Sequence, residues 1–297
     1  MQRLAIAHQA GADEASATPS EAIAMSHSSL FRVTPLILLS MAAILSGCAT
    51  APKGGAGSLI ASDVRLEVER DRPQSSRQQR IDRAAIAQAK TLHVAPPRFA
   101  DGADTALSPR EREVILAGVG RALCTTTSEF FEVVAAEQPA DIVLRSEVTG
   151  VGLTNRGVAG ASLVVGALSP IPFTPRLPAG MGGLSADVVA SAADGARVLE
   201  FRWAQGANAF TTDATPSRLG DAYALTDVLA RDVRRLLRDE GDGRRRERVD
   251  APVRRRSKEA CLASFGRIEA GKRLARLALP LTPEFVEAKS GGGDSGR

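Results

Sequence analysis

Residues 184–205, LSADVVASAADGARVLEFRWAQ, decide the fold. Asp194-Gly195 is a hairpin turn pair, because both residue types tolerate the positive φ that a tight two-residue turn demands. The flanking runs, Leu184 to Ala192 and Arg197 to Gln205, are of strand length, and the two-residue period puts Leu199, Phe201 and Trp203 on one face of the second. Upstream, Ala140 to Val151 alternates in the same way. Ile142, Leu144 and Val148 lie on one side and Arg145, Glu147 and Thr149 on the other, which predicts a strand with one wet face. Thr91 to Pro96 and Phe130 to Ala135 are two further β-type runs.

Helical spacing brackets these strands. Ser108-Pro109-Arg110-Glu111 is a capping box with proline at the first helical position, and Val114, Ile115, Val119, Ala122 and Leu123 continue it as an apolar stripe. A second stripe, Leu219, Ala222, Leu225, Leu229, Val233 and Leu236, predicts a helix from about Ser217 to Asp239. The order β-α-β-β-β-β-α predicts an α+β fold: a mixed, mostly antiparallel sheet with two helices on one face, plus a C-terminal helical extension. Residues 69–83 are almost wholly polar and read as a surface linker or a solvated helix start. Residues 152–183 are rich in Gly, Ala and Pro, yet apolar and without an acidic residue. Two readings stand for them, a long loop folded over the sheet or a surface for a bilayer or a neighbouring subunit.

The chain has 297 residues, 44% of them hydrophobic, which supports a real core and excludes a mostly disordered polymer. Its location is written near the N-terminus. Val33 to Leu45 is an apolar run preceded by Arg32 and ended by Leu45-Ser46-Gly47-Cys48. Charge, apolar run and small residues in that order describe a secretory signal, too short for a comfortable membrane span. Met25 is the preferred start, since Asp13, Glu14 and Glu21 do not suit a signal's basic end. Leu-Ser-Gly-Cys is similar to the lipobox of bacterial lipoproteins, and this implies a diacylated thiol at Cys48, the new N-terminus after cleavage. Ala49 is not the aspartate that retains enteric lipoproteins in the inner membrane, so the expected address is the periplasmic face of the outer membrane, with a stable acyl anchor. The chain then divides into a signal region (1–47), a lipidated tether and linker (48–83), an α+β domain (84–240) and a basic helical extension with a disordered tail (241–297).

Leu92-His93-Val94-Ala95-Pro96, the helix opening at Leu107-Ser108-Pro109, and Ala140-Asp141-Ile142-Val143-Leu144-Arg145 leading to the Asp194-Gly195 hairpin occur in that order. With the lipobox, this arrangement from Ala84 to Leu237 resembles an uncharacterised bacterial lipoprotein family, domain of unknown function 3313. The resemblance implies fold and location, and no activity that could be carried onto particular residues.

Few residues are available for metal or histidine chemistry. The histidines are His8, His27 and His93, and only His93 remains once the signal is removed. It sits in the first strand and reads as an edge-strand histidine, since there is no Gly-x-Ser-x-Gly elbow and no zinc-ligand spacing. Gly266 to Lys272 has Walker spacing by chance, because Arg273 replaces the hydroxyl that would hold magnesium. Cys124 and Cys261 are left after lipidation of Cys48; in an oxidising periplasm they stand equally as a disulfide or as two buried thiols. Residues 244–276 carry twelve basic side chains against four acidic ones. Arg244, Arg245, Arg246, Arg254, Arg255 and Arg256 are therefore candidates for binding a polyanion such as anionic lipid, the other reading being a solvated arginine-rich arm.

The expected role is a non-catalytic envelope module, held to the membrane by its acyl anchor. It would bind another envelope protein or an anionic lipid, with no nucleic acid and no cofactor, and with a homo-oligomer left open. The alternative is an envelope hydrolase or transferase using carboxylates such as Asp141, Glu147, Asp187 and Asp194.

Overall fold

The hairpin that turns at Asp194-Gly195 is the middle of the sheet. In the computed structural model, β7 (Gly183–Ala192) and β8 (Arg197–Gly206) pair antiparallel, with Leu184 opposite Gln205 and Ala190 opposite Leu199. Gly195 takes the turn at φ 86°. β6 (Ile142–Gly152) pairs antiparallel with β7, from Ile142 opposite Ala192 to Gly152 opposite Gly183. β3 (Thr91–Val94) and the two-residue β4 (Arg98–Phe99) run parallel to β6, and β5 (Glu132–Val133) runs parallel to β3. The other flank is closed by β2 (Ser75–Ile81) against β8 and β1 (Glu67–Arg72) against β2. The order across the sheet is β1-β2-β8-β7-β6-β3-β5, mixed and mostly antiparallel as expected. Residues 51–52, 57, 59–103, 105–155, 180–208, 217–241 and 244–267 are described. Cys48 with its apolar run, most of the 152–183 insertion and the chain beyond Arg267 lie outside them.

Among the described residues four helices accompany the sheet: the two expected in the domain, the expected C-terminal extension, and one short helix that periodicity did not announce. α1 (Arg83–Gln88) is short, and the Asp82 carboxylate caps it by accepting from the Ala85 N–H at 3.0 Å. α2 (Pro109–Thr127) opens on the expected capping box: Ser108 Oγ accepts from Glu111 N at 3.3 Å, and Glu111 Oε2 accepts from Ser108 N at 2.8 Å. α3 (Gly220–Arg238) packs beside α2 and on β7 and β8. Val114, Ile115, Val119 and Leu123 join Leu225, Leu229 and Val233 over Leu144, Val188, Phe201 and Trp203 in one core. α4 (Ala251–Phe265) is the helical extension, packed against α2 and β5. Gly120 permits that approach, since a Cβ there would stand 2.4 Å from the Phe265 ring.

Residues 69–83 correct one expectation. They form the β1–β2 hairpin and the start of α1 rather than a linker. Their polarity belongs to an edge: all six residues of β1 are exposed, and charged side chains discourage pairing with a further strand. β2 hides its alternation because its inward residue opposite Trp203 is charged. Arg77 meets Asp232 of α3 at 2.7 Å, and the same carboxylate oxygen accepts from Trp203 Nε1 at 2.9 Å. This clamp satisfies the indole N–H that a fully buried tryptophan otherwise orphans.

The tether also differs from expectation where it is described. Ala51 is buried and its N–H donates to Pro73 O at 2.7 Å, and Ile60 is fully buried.

Candidate functional site

The sheet face away from the helices carries a row of charge. Strand register places Arg98, Glu147, Asp187 and Arg202 side by side on β4, β6, β7 and β8. Arg98 pairs with Glu147 at 3.1 Å and Arg202 with Asp187 at 3.3 Å, while both carboxylates are 1% exposed. Gly57, Leu59 and Ile60 lie over them: Leu59 N donates to Glu147 Oε2 at 3.1 Å, and Arg202 donates to Ile60 O at 3.1 Å. Gly57 is needed here because a Cβ would fall 2.7 Å from Asp187 Oδ2 and 2.8 Å from Glu147 Oε2. Asp187 Oδ2 has no hydrogen-bond partner. Burial pushes the Asp187 carboxyl above its ordinary value, with Arg202 opposing and Glu147 adding to the rise.

The four carboxylates named from sequence therefore separate. Glu147 and Asp187 are neighbours under a covering segment. Asp141 lies outside the row, where its Oδ2 accepts from Lys90 N at 2.8 Å and Thr91 N at 2.9 Å, aligning β3 with β6. Those two N–H groups, Thr91 first, hold the Asp141 carboxyl below its usual range. Asp194 serves its own turn, accepting from Ala196 N at 2.9 Å.

Cys124 and Cys261 are joined, with Cα atoms 5.5 Å apart across 137 residues of sequence, tying α4 to α2. Ser257 of α4 adds an acceptor for Val133 N at 2.9 Å. His93 does not stand on an edge strand, since β3 is flanked by β6 and β5; its Nδ1 is 3.1 Å from Val134 O, and it borders an apolar groove of about 770 Å³ between β3, α2 and α4.

The six candidate arginines do not form one patch. Arg246 is committed to structure: it donates to Ala89 O at 2.8 Å and to Ile86 O, closing the end of α1, and stacks 4.4 Å from the Phe131 centroid. Burial lowers its pKa from the ordinary value, against the pull of Glu240. Arg254, Arg255 and Arg256 ride on α4, where Arg254 donates to Val249 O at 3.5 Å.

Arg244 and Arg245 instead meet arginines that the sequence reading passed over. β9 (Asp239–Gly241) and β10 (Arg244–Arg245) fold back at the end of α3. A cavity of about 780 Å³ there is lined by Arg244 and Arg245, by Arg83, by Arg231, Arg234, Arg235 and Arg238 of α3, and by Asp239 and Gly241 of β9. The signal was present as Arg at i, i+3, i+4 and i+7, one helical face opposite the apolar stripe. Arg83, far away in sequence, reaches the site because its guanidinium binds Asp239, 3.0 Å from Oδ2 and 3.1 Å from the backbone carbonyl.

A family described as protein of unknown function, DUF3313, matches residues 57–233. No curated protein matches. The solved structures similar over part of the chain include two PelC dodecamers from Paraburkholderia phytofirmans. One, a leucine-to-methionine variant, is 14% identical over 53% of this chain and 98% of that one, at a TM-score of 0.30; the other, in a second crystal form, is 12% identical over 52% and 96%, at 0.29. With its family match covering the whole sheet and reaching into α3, the chain belongs to the DUF3313 family.

Proposed function

We propose that this protein is an envelope lipoprotein, anchored through Cys48 at the periplasmic face of the outer membrane, whose α+β domain binds an envelope partner without catalysis. The observation that carries this reading is the division of its three cysteines. Cys124 and Cys261 form a buried bridge, a chemistry that persists in oxidising compartments, while the remaining thiol closes the Leu45-Ser46-Gly47-Cys48 box. Against the hydrolase or transferase alternative stands the use of its carboxylates. Asp141 and Asp194 hold backbone N–H groups, and Glu147 and Asp187 are paired with arginines under the 57–60 segment.

Metabolic labelling with a fatty acid, followed by membrane fractionation, tests the anchor. The wild-type chain is expected to carry label and to sediment with outer membrane, and Cys48→Ala is expected to lose both. Label retained by Cys48→Ala, or a wild-type chain found in the soluble fraction, refutes the reading. For the absence of catalysis, Glu147→Gln is expected to recover the same partner as wild type from detergent-solubilised envelope.

A further inference from the structure

We propose that the arginine-lined cavity at the C-terminal end of α3 binds a multiply phosphorylated anion presented from the aqueous side. The site deepens the binding reading above, and only the choice of ligand source rests on the Cys48 anchor. Three of the seven lining arginines have carboxylate partners: Arg83 with Asp239, Arg234 with Glu129 at 3.3 Å, and Arg235 with Glu69 at 2.8 Å and Asp232 at 3.8 Å. Among the described residues, no carboxylate lies within ion-pair distance of Arg231, Arg238, Arg244 or Arg245. Arg238 also holds a buried Nε with no acceptor.

Folding gathers these like charges against Coulomb repulsion, and a buried donor without an acceptor adds a further cost. The α3 macrodipole accounts for cations in its last turn, Arg235 and Arg238, but not for Arg231, Arg244 and Arg245. An anion in the cavity offsets the repulsion among these guanidinium groups. Guanidinium forks match the oxygens of phosphate in bidentate pairs, and several forks around one cavity favour a ligand with more than one phosphate group. A volume of about 780 Å³ accommodates a small molecule of that kind.

Placement selects the source. Ala51 is fastened to Pro73 O, and Pro52 lies against Gly183, at the end of the sheet where α3 begins. Three residue steps, about 10 Å of chain, lead from Cys48 to Ala51. The cavity sits at the other end of α3, about 28 Å along the helix axis. A soluble phosphorylated ligand is therefore favoured over headgroups of the anchoring leaflet.

Titration calorimetry of the full chain with sodium triphosphate tests the site. Saturable binding is expected, weakened roughly tenfold or more by R231Q/R244Q/R245Q, since one charge-assisted hydrogen bond is worth about that factor. R255Q/R256Q/K258Q removes the same charge from α4 and is expected to change affinity less than about threefold. Triphosphate is also expected to protect Arg244 and Arg245 of the wild type from phenylglyoxal, a readout that needs no variant. Absence of binding, equal loss in both variants, or no protection overturns the site. Flotation of Cys48→Ala chain with phosphatidylcholine vesicles containing cardiolipin separates the sources; recruitment abolished by R231Q/R244Q/R245Q would overturn the soluble assignment. Acylation of Cys48 is read independently, so failure of the anchor and failure of the site are distinguishable.

Discussion

Replacing both bridged cysteines, Cys124→Ser with Cys261→Ser, is expected to have two separable effects. The bridge closes a loop of 137 residues, for which the chain-entropy relation gives about 5 kcal/mol at 25 °C. Residual structure in the reduced unfolded chain lowers this, so a loss of about 2–5 kcal/mol is expected. With a urea m-value of about 2–3 kcal/mol per M for a domain of this size, the midpoint falls by about 1–2 M. The second effect is local. Along α4 only Ser257 and Cys261 are buried, so it is held mainly by the bridge, the Ser257 hydrogen bond, the Phe265 contact and the Arg121 hydrogen bond to Phe265 O. A free fifteen-residue helix is marginal in water. Hydrogen exchange should therefore show α4 losing protection at denaturant concentrations where β6, β7 and β8 keep theirs. An unchanged midpoint together with unchanged protection of residues 251–265 would refute the staple as a source of stability.

The clamp and the covering segment give further outcomes. Asp232→Ala leaves the buried Arg77 guanidinium with only the long hydrogen bond to Gln205 Oε1 and orphans the Trp203 indole N–H, and is expected to cost about 3–5 kcal/mol in urea unfolding. Gly57→Val drives a side chain into Asp187 and Glu147, and is expected to cost about 1–3 kcal/mol and to expose the chain at Leu59 and Ile60 to limited proteolysis. The two perturbed aspartates should behave oppositely with pH. Asp141 is held below its ordinary 3.8, so its contribution is present above that value and lost as pH falls through the lower folded value; the deficit of Asp141→Asn should shrink in acid. Asp187 is raised above 3.8, so its contribution is present below that value and lost as pH rises through the folded value; Asp187→Asn should gain on wild type from acid to neutral pH. Urea midpoints measured across that range decide both.

Where structure repeats between near neighbours, the sequence showed it. The Asp194-Gly195 turn, the alternation of β6, the Ser108 box and the stripes of α2 and α3 are all local, and each is found within a few residues of its expected bounds. The β1–β2 hairpin was not legible, because an edge strand buries little and β2 packs through an ion pair instead of an apolar side chain. Of the candidate arginines, two reached a common cavity. The other four looked equivalent in sequence, but Arg246 is claimed by carbonyls of α1 and Arg254, Arg255 and Arg256 are carried on α4.

Local pattern sufficed for the fold class, for the strand and helix signals of the central sheet, and for the candidate anchor at Cys48. Which groups meet is set by packing between distant elements: Arg77 with Asp232, Arg83 with Asp239, Glu147 beside Asp187, Cys124 with Cys261. Periodicity reports which face a residue occupies within its own element. It carries no information on which distant element that face will touch, and both the buried charge row and the arginine cavity are made from such distant pairs.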